Sequence, residues 1–335
     1  MTAPECRPPR ATGLVGALLL MTAGAARPTH AQREPVFQTE IGIVMLQATV
    51  KNDHGELVTG LERSAFTVYE NGKPQAITVF GRDEVPVSLG LVLDHSRSMR
   101  DARAQLEAAA LALARASNPR DELFVVNFAD KSALDVPLTN DLQLLEAGIG
   151  RVACIGGTAL RDAVATGEAY LTEHARRERK VLVVVSDGCD NASAASHDEV
   201  GDLGRRSLVV VHAIGLLNPG DPARAERGRR ELDELCGETG GLAYFPRTPE
   251  DASTVALELA RQIRSQYTIG YSPANQSLDG SYRKIRVVAK GQGRLSVRTR
   301  PGYRAIAGQT ASSRTSDSRV MTEKTPACAG NGGSR

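Results

Sequence analysis

The chain has 335 residues, 41% hydrophobic and 24% charged, enough for roughly two domains with a sizeable core and unlike the apolar-poor balance of a disordered protein. A formal net charge of +2, aromatic residues at 4% and the absence of Trp leave no basic stripe interleaved with aromatics, which argues against nucleic acid as a partner.

Residues 1–32 read as a secretory signal: Arg7 and Arg10 precede the apolar run Gly13 to Ala26, and small residues follow at Ala23-Gly24-Ala25 or Thr29-His30-Ala31. The competing reading is an N-terminal anchor, but the run is shorter than the roughly 18 to 20 apolar residues that cross a bilayer. No Cys stands directly after it to carry a lipid, and no later segment is apolar enough to span. The expectation is an exported chain starting near Gln32, periplasmic, cell-surface or secreted, with no membrane span. That chain keeps Cys154, Cys189, Cys236 and Cys328. There is no C-x-x-C, and His54, His95, His174, His197 and His212 lack the clustered spacing of zinc ligands. Cys154 and Cys189 flank the loops described below and are either bridged or free.

From 36 to 84 the pattern is β, with Ile43 to Val50, Phe66 to Tyr69 and Ala76 to Phe80 as strands and Asn71-Gly72 as a hairpin turn. Three short strands need partners from elsewhere in the chain. From 85 to 264 strands alternate with helices. The strands are Val87 to Leu93, Leu123 to Phe128, Lys180 to Val185, Leu208 to Ile214 and Leu242 to Phe245; the helices are Ala102 to Ser117, Thr158 to Arg176, Arg229 to Thr239 and Glu250 to Arg264. This order predicts an α/β domain, a Rossmann-like, mostly parallel sheet flanked by helices. Asn218 to Arg230 reads as an exposed loop leading into a helix. From 265 to 304 the chain returns to β, with strands at Tyr267 to Tyr271, Tyr282 to Lys290 and Leu295 to Arg300. These strands either complete a β-sandwich-like region with the N-terminal ones or extend the α/β domain. The tail at 305–335 is poor in apolar groups and is expected to be disordered.

The chemistry gathers at the carboxyl ends of the parallel strands, where ligands sit in open α/β sheets. Asp94-x-Ser96-x-Ser98 follows the first strand of the α/β segment, Gly156-Gly157 delivers Thr158 at a helix start, and Ser186-Asp187-Gly188 follows the strand Lys180 to Val185. Singly, each has a plain structural reading: serine caps helices and Asp-Gly makes turns. Together they offer hydroxyls and carboxylates, hard oxygen donors suited to Mg2+, with Mn2+ or Ca2+ as alternatives. If Ser96, Ser98 and Thr158 bind directly while Asp94 and Asp187 act mostly through water, a bound cation keeps much of its charge and seeks an anionic sixth ligand. His95 is expected as an exposed side chain beside the metal, and Asp190 and Asn191 as shapers of the adjoining loop.

In that order, D-x-S-x-S, then T, then D, the residues Asp94, Ser96, Ser98, Thr158 and Asp187 resemble the metal-ion-dependent adhesion site of a von Willebrand factor type A (VWA) domain. Val58-x-Gly60-Leu61 with Phe66-x-Val68, Gly280-x-Tyr282-Arg283-Lys284 and Arg300-Pro301-Gly302-Tyr303 resemble exported bacterial proteins that carry this domain. The resemblance implies a domain over 85–264 that binds, through Mg2+, a protein ligand supplying an acidic side chain. It implies adhesion or scaffolding rather than catalysis. Two alternatives remain: a Rossmann-like metal-dependent hydrolase or phosphotransfer enzyme, and a structural envelope component whose metal stabilises loops. Against an enzyme, the sequence has neither G-x-G-x-x-G, G-x-x-x-x-G-K-S/T nor G-x-S-x-G.

Overall fold

The computed structural model of the chain describes residues 42–306, with 83, 152 and 249 excepted. The expected secretory signal at 1–32, the start of the N-terminal β segment, and the tail from 307 with Cys328 lie outside the described residues. Four strands open the described chain: β1 (Val44–Lys51), β2 (Phe66–Glu70), β3 (Lys73–Gln75) and β4 (Ile77–Gly81). Asn71 and Gly72, at φ 48° and 80°, form the tight turn between β2 and β3, a left-handed pair that Asn-Gly adopts with least strain.

Strand–helix alternation follows, with β5 (Val87–Asp94), α1 (Arg103–Arg115), β6 (Glu122–Phe128), β7 (Ser132–Thr139), α2 (Leu142–Ile149), α3 (Leu160–His174) and β8 (Arg179–Ser186). It continues through α4 (His197–Arg206), β9 (Val210–Gly215), α5 (Pro222–Thr239), β10 (Ala243–Tyr244) and α6 (Asp251–Arg264). The strands β11 (Tyr267–Tyr271), β12 (Tyr282–Ala289), β13 (Ser296–Arg298) and β14 (Gly302–Arg304) close the described chain.

The central sheet has the order β10-β9-β8-β5-β6-β7, parallel except for the edge strand β7. Strand β5 is buried at all 8 positions, as its unbroken apolar run requires of a strand covered on both faces. Its side chains alternate: Leu89, Leu91 and Leu93 pack with α1, α2 and α6, and Val92 with α3, α4 and α5. Each buried leucine contributes about 2 kcal/mol of transfer free energy, so this strand fixes the stack of layers.

The N- and C-terminal strands build two further antiparallel sheets, β13-β1-β11-β4 and β14-β12-β2-β3. They enclose one core, which includes Leu46, Val68, Ile269 and Val287. The C-terminal strands therefore pair with the N-terminal ones and do not extend the central sheet. Buried Glu70 accepts hydrogen bonds from the hydroxyls of Tyr271 (2.8 Å) and Tyr303 (2.9 Å) and pairs with buried Arg283 (3.5 Å), so its charge is compensated inside that core. Arg300, just before β14, donates from Nη2 to the carbonyl of Ser207 (2.8 Å) at the end of α4, tying these sheets to the α/β layers.

Two sequence expectations change. The stretch 218–230 is loop only as far as Asp221; Pro222 opens α5 and the Asp221 carboxylate accepts the Arg224 N–H at 3.0 Å, a cap followed by proline at the first helical position. Strands β3, β7 and β14 and helices α2 and α4 are additional to the expected elements. Cys154, Cys189 and Cys236 are free thiols. Among the described residues no helix is long and apolar enough to cross a membrane.

Candidate metal centre

Strand β5 ends at Asp94, and the turn after it is organised by that carboxylate. Asp94 Oδ1 accepts the Ser96 N–H at 2.8 Å and Oδ2 accepts the Ser186 hydroxyl, from the end of β8, at 2.5 Å. Asp94 is fully buried. Burial pushes its pKa up to about 6 against the opposing pull of the Ser186 and Ser96 hydrogen bonds, and Asp187 adds to the rise. The next turn places the Ser96 and Ser98 hydroxyl oxygens 3.1 Å apart, Ser96 buried and Ser98 at the exposed rim.

Two more loops reach this turn. The 155–157 stretch is bonded directly to it: Ile155 N–H donates to the His95 carbonyl (2.9 Å) and Arg97 N–H to the Gly156 carbonyl (3.2 Å). Gly156 has φ 80°, and a Cβ there would lie 2.2 Å from the Asp130 carboxylate, which accepts the Gly157 N–H at 2.6 Å. Asp130 thus clamps the turn that leads to Thr158. Thr158 is buried, its N–H donates to Asn191 Oδ1 (2.9 Å) and its carbonyl accepts the N–H of Asn191 (3.0 Å) and Ala192 (3.1 Å). Asn191 therefore ties the Thr158 loop to the loop that follows β8. Among the described residues no hydrogen bond joins the Thr158 hydroxyl to Ser96, Ser98 or either aspartate.

Asp187 opens that third loop. Its Oδ1 accepts the Cys189 N–H (3.1 Å), and its Oδ2 receives the Arg224 guanidinium, Nη2 at 3.0 Å and Nε at 3.3 Å. The same Nη2 lies 3.0 Å from Ser98 Oγ. One cationic group therefore already bridges two of the five sequence-predicted residues. The donors are hydroxyl and carboxylate oxygens, and the guanidinium stands in for a positive charge among them, so the residues fit a hard cation. Among the described residues no three or more His, Cys, Asp or Glu side chains group as metal ligands; here only two carboxylates contribute and hydroxyls supply the remainder.

His95 differs from its expected exposed position. It is fully buried, with Nε2 3.0 Å from Asn127 Oδ1, because the side chain after Asp94 turns back under β6 rather than out beside the loops. Burial lowers its pKa, the Asn127 contact opposing. Ser186 belongs to the Ser186-Asp187-Gly188 piece that the sequence places at this sheet edge, and its hydroxyl binds Asp94. Two contributors escaped sequence reasoning, Asp130 and Arg224. Asp130 carries no signal beyond its place after β6. Arg224 was hidden by reading its segment as loop, although Asp221-Pro222 is a helix start that puts it in the first turn.

Residues 89–189 match the family model of the von Willebrand factor type A domain. The solved structures it resembles include a von Willebrand factor type A protein from Catenulispora acidiphila, at 14% identity and TM-score 0.46 over 81% of this chain and 75% of that one. The protein BatB from Bacteroides thetaiotaomicron aligns at 15% identity and TM-score 0.44 over 53% of this chain and 100% of that one. The von Willebrand factor domain of the type V pili tip protein Mfa5 from Porphyromonas gingivalis aligns at 13% identity and TM-score 0.45, over 54% and 95%. No curated protein matches the chain in sequence.

Proposed function

We infer that this chain, which carries a von Willebrand factor type A domain at residues 89–189, is an exported binding protein that captures a protein partner through a divalent cation, Mg2+ or in its place Mn2+ or Ca2+. Asp94, Ser96, Ser98, Thr158 and Asp187 are the residues that would hold it. A cation there supplies a positive centre for one acidic side chain of the partner. Asp94 is fixed from both sides by Ser96 and Ser186 and orients the serine turn. The observation that carries the reading is the convergence of three loops at one sheet edge, with the Ser96 and Ser98 oxygens 3.1 Å apart and a guanidinium drawn between Ser98 and Asp187.

A binding role is favoured over the hydrolase or phosphotransfer alternative because Asp94 is fully buried with both oxygens engaged, which withholds it from a substrate as a nucleophile. A purely loop-stabilising metal is separated from a docking metal by experiment. Pulldown of exported and surface proteins with the purified chain should retain partners in Mg2+ and lose them in EDTA, and Asp94→Ala and Ser96→Ala should behave in Mg2+ as the wild type does in EDTA. Capture unchanged in the variants would refute docking at the metal.

A further inference from the structure

Arg224 is placed where a helix least favours a positive charge. It lies in the first turn of α5, its N–H capped by Asp221, at the positive end of the helix dipole. Helix formation does not explain a cation there; the side chain's partners do. Its guanidinium spends its hydrogen bonds on Asp187 Oδ2 and Ser98 Oγ, atoms that belong to two different loops and to the proposed ligand set.

The backbone beneath it is immobilised. The Cys189 thiol donates to the Arg224 carbonyl at 3.3 Å, and Gly228, one turn on, packs against Asp187 so closely that a Cβ there would lie 1.9 Å from the Asp187 carbonyl oxygen. Release of the guanidinium therefore needs only side-chain rotation. There is room for it: a groove of about 540 Å³ opens beside Ser98 and Asp187, with Arg224 on its wall and exposed Asp101 and Asp221 offering alternative carboxylates. A metal ion that took the Ser98 hydroxyl, with Asp187 reached directly or through a water, would displace the guanidinium that now bonds both.

We propose that Arg224 is a resident cation of this site, which competes with the metal for Ser98 and Asp187 and must swing into the adjoining groove before a metal enters. The proposal rests on the metal reading above. It makes the site a two-state device, closed by its own arginine and opened by divalent cation.

The test is titration of Mn2+, by calorimetry and by electron paramagnetic resonance of the free ion, into the full chain as wild type, Arg224→Ala, Arg224→Lys and Arg247→Ala. Arg247 lines the same groove and is exposed, so its removal subtracts the same charge without touching Ser98 or Asp187. Arg224→Ala should bind Mn2+ roughly tenfold more tightly than wild type, the scale of one charge-assisted hydrogen bond no longer broken on entry, with Arg224→Lys between them. In EDTA the Arg224→Ala protein should melt lower than wild type, because Asp187 has lost its partner, and Mn2+ should raise its Tm further than it raises the wild type's. Equal or weaker binding by Arg224→Ala, or an equal gain in Arg247→Ala, overturns the competition while leaving the metal site standing. Absence of Mn2+ binding in all four proteins overturns both.

Discussion

At the scale of single residues, the molecule carries buried carboxylates whose roles differ by what surrounds them. Glu70 is surrounded by donors and is a compensated charge. Glu168, on α3, is 1% exposed with Oε2 unpartnered, and burial pushes its pKa up to about 8, the Ser207 hydrogen bond and Arg300 opposing and Glu238 adding. Its folded-state pKa lies above the ordinary carboxyl value of 4.5, so its contribution to stability is fully present below that value and is lost as pH rises through about 8. Urea unfolding should therefore show Glu168→Gln gaining stability relative to wild type between pH 5 and pH 9 (roughly those limits, set by the two pKa values), with the gap closing at the acid end. A gap independent of pH would mean that Glu168 is ionised throughout. At this scale the sequence was most legible where oxygen donors crowd a strand end, as at Asp94, Ser96 and Ser98. It was least legible for Asp130 and Arg224, whose importance comes from contacts made far along the chain.

At the scale of elements, the site is positioned by backbone approach as much as by side chains. Helix α5 lies on the Asp187–Gly188 turn, where Gly188 has φ 78° and its missing Cβ would lie 2.4 Å from the Gly228 carbonyl oxygen. Gly228→Ala should push α5 from the turn, costing about 1–3 kcal/mol as overpacking does, and should weaken metal binding although residue 228 is no ligand. Gly237→Ala, on the same helix with nothing within 4 Å of the added Cβ, should leave metal binding unchanged and hold or raise stability. Chemical denaturation paired with Mn2+ titration checks both, and equal behaviour of the two variants would contradict the packing argument. The elements that escaped the sequence have physical reasons. Strand β7 is an edge strand with exposed Pro137, which weakens a strand signal. Helix α2 has only 8 residues, too few for a clear apolar period. In α4 buried Gly201 and Gly204 stand where larger apolar residues would mark the helix, because the side chains of Glu238 and Thr239 from α5 press against them.

At the scale of the whole molecule, the α/β layers and the two antiparallel sheets divide the work. The three-layer core sets the strand ends in one row, and the flanking sheets are anchored at the opposite end of the strands, where Arg300 holds the residues between α4 and β9. At the other end of the strands Arg97 and Ser98 are exposed, and Arg224, in the first turn of α5, is half-buried. The alternation of strands and helices was readable because β5 and β8 are buried along their whole length and so appear as continuous apolar runs. The pairing of the first strands with the last is one of two options at the level of sequence, since short alternating strands carry no label for their partners. The proposed divalent cation at Asp94, Ser96, Ser98, Thr158 and Asp187 is decided by calorimetric titration of Mg2+ into the metal-free chain. The wild type should bind one Mg2+ per chain, and Ser96→Ala and Asp187→Ala none at the same concentrations once circular dichroism shows both folded. Mg2+ binding that survives both substitutions, or its absence from the wild type and Arg224→Ala alike, would contradict that site.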